Sequence, residues 1–138
     1  MTKHFVLDAC ALIALLQNEE GDKVVDEIIE KAQEQTISVS MNKFNLLEVY
    51  YGTYRRYGKE QADTTLQNMA YFPIKIISEI ANDVFKEAGR LKGTYKISIA
   101  DSIALAEASV SGGALLTCDH HEMDIIEKSE NIKFLWIR

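Results

Sequence analysis

The sequence predicts an α/β fold in which a mostly parallel sheet of about five strands carries helices on both faces. Short β-branched or apolar runs alternate along the chain with longer stretches of helical periodicity, the mark of parallel βα units. Two of the apolar runs, FVL and ALLTC, lead straight into an aspartate, Asp8 and Asp119, placing both near the carboxyl edge of the sheet. With 138 residues and 47% hydrophobic content, the chain can bury one proper core but not two, so residues 1–138 are expected to form a single domain.

In order, His4 to Leu7 reads as the first strand, and Asp8 is placed to cap a helix bearing Leu12, Leu15 and Leu16. Val24, Val25, Ile28, Ile29 and Ala32 recur at helical spacing opposite Asp26, Glu27, Glu30 and Lys31, which gives an amphipathic helix whose apolar side packs on the core. Thr36 to Ser40 is β-like. Asn42 then caps a helix to about Tyr57, and another runs from about Lys59 to Tyr71. Pro73 opens a third strand, Ile74 to Ile77; Ser78 and Glu79 start a helix ending near Gly93. The next helix begins near Ile99 and stops at Gly112-Gly113. Ala114 to Thr117 is a short buried strand, Asp119 to about Lys128 a small helix, and Ile132 to Ile137 the last strand. No internal repeat is present.

Composition narrows the function. No window approaches the roughly 18 consecutive apolar residues of a membrane span, and Asp8 interrupts the apolar N-terminus, which reads as a strand and not a signal. Cys10 and Cys118 have neither zinc-site spacing nor the density of a secreted scaffold, so a reducing cytoplasm is expected; at adjacent sheet edges the two can come near one another, and they read as small apolar residues, with a regulatory disulfide the alternative that such a redox poise disfavours. The net charge of −6 disfavours general affinity for nucleic acid, so any such function must come from a local site.

Four acids stand out. Asp8 and Asp119 lie where open α/β sheets place their ligands, although each could simply cap the following helix, worth about 1 kcal/mol. Glu48 sits inside a helix between Phe44 and Tyr51, and Asp101 shares its side with Ala104, Leu105 and Ala108. An ionised carboxylate on such a face needs a cation, a hydrogen-bond network or a raised pKa. A buried salt bridge to Arg55, Arg90 or Lys96 is the alternative. Four acids together would repel and keep their protons unless a divalent cation were present, and oxygen-only ligands suit Mg²⁺ or Mn²⁺. The chemistry so implied is metal-assisted phosphodiester hydrolysis.

LDACALIALL, NLLEVYYG, IADSIALAEA and LLTCDHHEM resemble, in order and spacing, the acidic blocks of PIN-domain nucleases, and the resemblance spans nearly the whole chain. The length and the compact two-helix insert after Glu48 are most similar to the VapC-type toxins of type II toxin–antitoxin pairs. The resemblance implies a PIN-like three-layer α/β/α domain in which Asp8, Glu48, Asp101 and Asp119 ligate Mg²⁺ or Mn²⁺, directly or through water. It also implies cleavage of single-stranded or looped RNA and inhibition by a cognate antitoxin. Thr117 matches the family's hydroxyl two residues before the last acid and is carried over as an accessory catalytic residue. Cys10 departs from the Ser or Thr common two residues after the first Asp, and a thiol is the poorer donor. Ser98 and Ser102 flank Asp101 as possible helpers.

Other features carry two readings each. His120 and His121 could touch a phosphate or shuttle a proton, or could face solvent in a first helical turn. Arg55, Arg56 and Lys59, with Tyr54 and Tyr57, suit RNA, but cations at a helix C-terminus also complement its dipole. Arg90, Lys92 and Lys96 form a second basic candidate or a solvated loop. Leu46, Leu47, Val49, Tyr50, Tyr51 and Tyr54 cover more of their helix than one core face needs, which suggests a surface for a homodimer or an antitoxin segment, unless neighbouring helices bury it. The alternatives to a toxin nuclease are a catalytically silent PIN-like module binding RNA or protein, and a different Mg²⁺ enzyme such as a phosphatase or receiver domain. No acid is missing, as the silent module would want, and neither the D-x-D pattern nor a preceding acidic pair is present.

Overall fold

The computed structural model describes residues 2–138. Five strands, β1 (His4–Leu7), β2 (Ser38–Asn42), β3 (Lys75–Ile77), β4 (Ala114–Thr117) and β5 (Lys133–Trp136), form one sheet in the order β3-β2-β1-β4-β5. Every pairing is parallel. The chain builds outward from β1 to β3, then returns to the other side of β1 with β4, so strand order reverses between β1 and β4. The crevice at the carboxyl ends of these two strands is where such sheets bind ligands.

Alternation along the central strands explains the layers. Phe5, Leu7, Ala114 and Leu116 face one way, into a core completed by α1 (Ala9–Leu16), α2 (Asp22–Gln33) and the Leu46 and Val49 side of α3 (Lys43–Tyr57). Val6 and Leu115 face the other way, against α5 (Asn82–Thr94), α6 (Ile99–Ser111) and α7 (His120–Ser129). Both faces are covered, as the near-continuous apolar runs of the central strands require. Helix α4 (Lys59–Asn68), followed by a 3-10 turn at Met69–Tyr71, packs on α3. No described helix is long and apolar enough to cross a membrane.

Several boundaries differ from the sequence expectation, most by a residue or two, and three show how. Strand β2 begins at Ser38, not Thr36, because Gln35 takes a left-handed φ of 64° and the amide and hydroxyl of Thr36 both bond back to the Lys31 carbonyl, closing α2. Helix α4 ends at Asn68 and tightens to the 3-10 turn. Helix α5 begins at Asn82 behind an extended Ala81, not at Ser78 and Glu79; packing of Val84, Ala88 and Leu91 into the core sets its register against the cap-like signal upstream.

Gly113 marks a close backbone approach. A Cβ there would lie 2.6 Å from the His4 carbonyl oxygen, at the junction of β1 with β4. Gly113→Ala is expected to cost about 1–3 kcal/mol in chemical denaturation. Gly52→Ala, mid-helix with open space around it, should instead stabilise by up to about 1 kcal/mol. Equal effects at the two positions would refute the close-approach account.

Candidate metal centre

Asp8 ends β1 and does two jobs. Its Oδ1 accepts the Ala11 amide at 2.9 Å and caps α1, while its Oδ2 accepts the Thr117 hydroxyl from the end of β4. The Thr117 oxygen in turn accepts the Asp119 amide at 3.2 Å, so one side chain connects the two aspartates across the β1–β4 junction. Asp119 Oδ1 caps α7 through the Glu122 amide at 3.3 Å. The helix-capping alternative for Asp8 and Asp119 is therefore real, and it positions the carboxyls without consuming them.

The other acids arrive on α3 and α6. Ser98 caps α6 by accepting the Asp101 amide at 3.1 Å, and its own amide donates to Glu122 Oε1 at 3.2 Å, which pins the start of α6 to α7. Ser98 thus acts as a positioning cap, whereas the Ser102 hydroxyl is spent on the Ile99 carbonyl at 2.6 Å. Two asparagines fasten α3 to α6: Asn42 Nδ2 donates to Glu107 Oε2 at 2.8 Å and Asn45 Nδ2 to the Ala100 carbonyl at 2.9 Å. Asn42 also caps α3 by accepting the Phe44 amide, as its sequence position implied. These ties fix the relation between the helices that carry Glu48 and Asp101.

Oxygens of Asp101, Asp119 and Glu122 lie within 4.8 Å of one another. Asp8 and Asp101 are buried and Glu48, Asp119 and Glu122 half-buried. Burial first, then repulsion from Asp119 and Glu48, pushes the Asp8 carboxyl up to about 7, against the opposing hydrogen bonds from Thr117 and Ala11. Asp101 is pushed to about 9 by burial, by side-chain hydrogen bonding with Glu122, and by repulsion from Glu122, Asp8 and Asp119. Glu48 is raised by burial and by repulsion from Asp119 and Glu122. Each acid feels at least two others, so the four selected from the sequence converge at one place.

Glu122 is the residue that the sequence reading missed. It lies three positions after Asp119, so both point the same way from the first turn of α7, but an acid there also looks like an ordinary favourable charge at a helix N-terminus. The expected salt-bridge alternative is absent: among the described residues no Lys or Arg pairs with any of the five acids. Arg90 is bound to Glu87 and Glu130, Arg55 lies over the Tyr51 ring, and Lys92 donates to the Ile97 carbonyl. An all-oxygen donor set that crowds like charges, with Asp8 pushed up to about 7 and Asp101 to about 9, fits a hard divalent cation.

The two cysteines correct an expectation. They are not separate thiols: the structure joins Cys10 to Cys118 in a disulfide, with Cα atoms 6.0 Å apart across 108 residues of sequence. The parallel register pairing Leu7 with Leu116 sets the segments after β1 and β4 side by side, and that is what brings the cysteines together. The His120 ring stacks on Trp136 at 3.9 Å, its Nε2 donates to the Arg138 carbonyl at 2.8 Å, and its Nδ1 pairs with Asp124. Both nitrogens face acceptors, which raises its pKa; the side chain fastens the C-terminus to α7.

The PIN domain family profile matches residues 5–128, and the chain belongs to that family. Comparison with curated protein sequences returned no match. Among solved structures, the chain is similar to VapBC2 from Rickettsia felis bound to a DNA fragment from its promoter, with a TM-score of 0.74, 16% identity, and 96% of this chain and 98% of that chain covered. DNA-bound VapBC from Salmonella typhimurium gives a TM-score of 0.72 at 14% identity over 100% of both chains. VapC20 from Mycobacterium tuberculosis, a sarcin–ricin loop cleaving toxin, gives 0.67 at 13% identity, covering 88% of this chain and 94% of that one. At these identities the likeness establishes a shared fold.

Proposed function

We propose that this chain is a metal-dependent endoribonuclease that hydrolyses RNA phosphodiester bonds, folded as one PIN-like domain over residues 1–138, and that it is the toxin of a toxin–antitoxin pair. The observation that carries the reading is the cluster of Asp101, Asp119 and Glu122 at the sheet's topological switch point, with Asp8 and Glu48 close enough to feel its charge and, among the described residues, no Lys or Arg paired with any of the five. Asp8, Glu48, Asp101 and Asp119 are the proposed holders of Mg²⁺ or Mn²⁺, with Glu122 added by its position. When bound, such an ion lowers the pKa of bound water and neutralises charge on a phosphodiester in flight.

The chain's own residues supply placement. Thr117 orients Asp8 through its hydroxyl and Asp119 through its oxygen, so its accessory role is to fix the spacing of two carboxylates. Asp101, pushed up to about 9 by burial and by its carboxyl neighbours, is the group suited to hold or pass on a proton during the reaction. RNA as substrate is supported by the cutting of a structured RNA loop by VapC20, and exposed Arg55 and Arg56, lying over Tyr51 and Tyr57, offer stacking contacts.

An antitoxin and a second copy of the chain are the proposed partners. On α3, Leu46 and Val49 are buried, but Leu47, Tyr51 and Tyr54 stay about half exposed, more than tertiary packing uses. A groove of about 380 Å³ lined by Phe44, Ile80, Phe85, Ile99 and Ile103 lies at the N-terminal ends of α3 and α6, against α5. Solved VapBC complexes share this fold. The cytoplasm is the proposed location.

The test is cleavage of a pool of structured RNAs by purified protein in Mg²⁺ or Mn²⁺, in excess EDTA, and by the Asp8→Asn variant. Cutting that needs metal and Asp8 is expected. Cutting that survives both EDTA and Asp8→Asn, or none at all by well-folded, antitoxin-free protein, defeats the reading.

A further inference from the structure

The geometry points to the Cys10–Cys118 pair as a redox modification site that sets how tightly the acidic centre holds its cation, an inference resting on the metal reading above. Cys10 lies in the first turn of α1, two residues after Asp8, and Cys118 stands between Thr117 and Asp119. The bond therefore closes across the β1–β4 junction at the very edge where the carboxyls gather. In its absence, the side-chain link between these two segments is the single hydrogen bond from Thr117 to Asp8.

That single bond works against repulsion. Asp8 at the end of β1 and Asp119 just after β4 are two carboxyls held side by side across the junction, and like charges so placed repel, so the metal-free site tends to open there. A covalent link resists opening, so less of the cation's binding energy is spent on drawing the acids together. Both cysteines are half-buried, which leaves the pair within reach of small disulfides and thiols. Oxidation is a thiol–disulfide exchange with a low-molecular-weight disulfide such as oxidised glutathione. One cysteine attacks and releases the first small thiol; the second cysteine resolves the mixed disulfide and releases the other. Two S–H bonds are lost by the protein, one S–S bond forms, and the small disulfide is reduced to two thiols. Disulfide stress would thereby raise the cation affinity of the protein.

The experiment compares the full chain after oxidation with oxidised glutathione and after reduction, with excess reagent removed. Thiol titration and mass define each state, and titration calorimetry with Mn²⁺ at neutral pH reads affinity. The oxidised form is expected to bind Mn²⁺ ~10-fold more tightly, the scale on which ligand-orienting partners alter metal affinity. A Cys10→Ser, Cys118→Ser double variant should bind like the reduced form and ignore the oxidant. Persistent free thiols under excess oxidised glutathione, or equal affinity in the two states, overturns the switch while leaving the metal reading intact. Failure of both forms to bind Mn²⁺ overturns both.

Discussion

Asp101→Asn is expected to lose metal-dependent RNA cleavage by on the order of a thousandfold or more while making the metal-free protein more stable at pH 8. The two effects have one origin. In the fold the Asp101 carboxyl is pushed up to about 9 by burial, by side-chain hydrogen bonding with Glu122 and by repulsion from Glu122, Asp8 and Asp119; in the unfolded chain it titrates near its ordinary 3.8. At pH 8 the unfolded state therefore gains free energy by ionising and the folded state does not. Asparagine has nearly the same shape, carries no proton to lose, and can donate from its amide to the Glu122 carboxylate, so this penalty disappears. A gain on the order of a few kcal/mol in the midpoint-derived unfolding free energy should result. The cost appears only in function, as in other sites that trade stability for activity. Asp101→Ala serves as a control, since it removes the charge but leaves a cavity beside Ser102 and Leu105. Activity of Asp101→Asn within tenfold of wild type would remove Asp101 from the centre; destabilisation of a variant with native circular dichroism would show that its carboxylate is paired by a cation of the protein.

What the sequence disclosed, and what it hid, follows the same physical lines. Asp8 and Asp119 were legible as a position, the carboxyl edge of a parallel sheet, because each follows an apolar strand, although helix capping explained them as well and is in fact what each also does. Glu48 and Asp101 were legible because each interrupts a helix face that otherwise reads as buried. Glu122 was not, since an acid in a helix's first turn is favourable with or without a ligand. The roles of Asn42 and Asn45 in fastening α3 to α6 depend on which carbonyls and carboxyls meet across 65 and 55 residues, and no local pattern encodes that. The nearness of Cys10 and Cys118 was legible, because each follows a strand at adjacent sheet edges, but the disulfide itself was disfavoured on the redox poise of the expected compartment, and the structure joins them. The number of strands was readable from periodicity, whereas their order β3-β2-β1-β4-β5 was not, since pairing between strands distant in sequence leaves no local pattern; the start of α5 was misplaced because core packing of Val84 and Ala88 outweighs a cap-like Ser-Glu pair. The likeness in the four acidic blocks agrees with the family match over residues 5–128.

The metal-free protein should become less stable as pH rises from about 5 to about 8, and millimolar Mg²⁺ should remove most of that loss. Asp8 sets the lower part of the window. Its folded carboxyl is pushed up to about 7 from an ordinary 3.8, so its contribution to stability is fully present below about 4 and is lost as pH climbs through 7. A displacement of that size is worth on the order of 4 kcal/mol. Asp101, held at about 9, extends the decline further into alkali, and Glu48 shifts in the same direction. A divalent cation reverses the logic, because it binds the ionised carboxylates and only in the fold. Its affinity must therefore rise with pH over the range in which the apo centre still holds protons, and binding must release protons into the buffer. Thermal unfolding in EDTA and in Mg²⁺, repeated across this range, should give melting temperatures that diverge as pH increases, with Asp8→Asn flattening the EDTA curve. Parallel curves would mean that the acids are already neutralised from within the protein, and the cation would then have no place in the site.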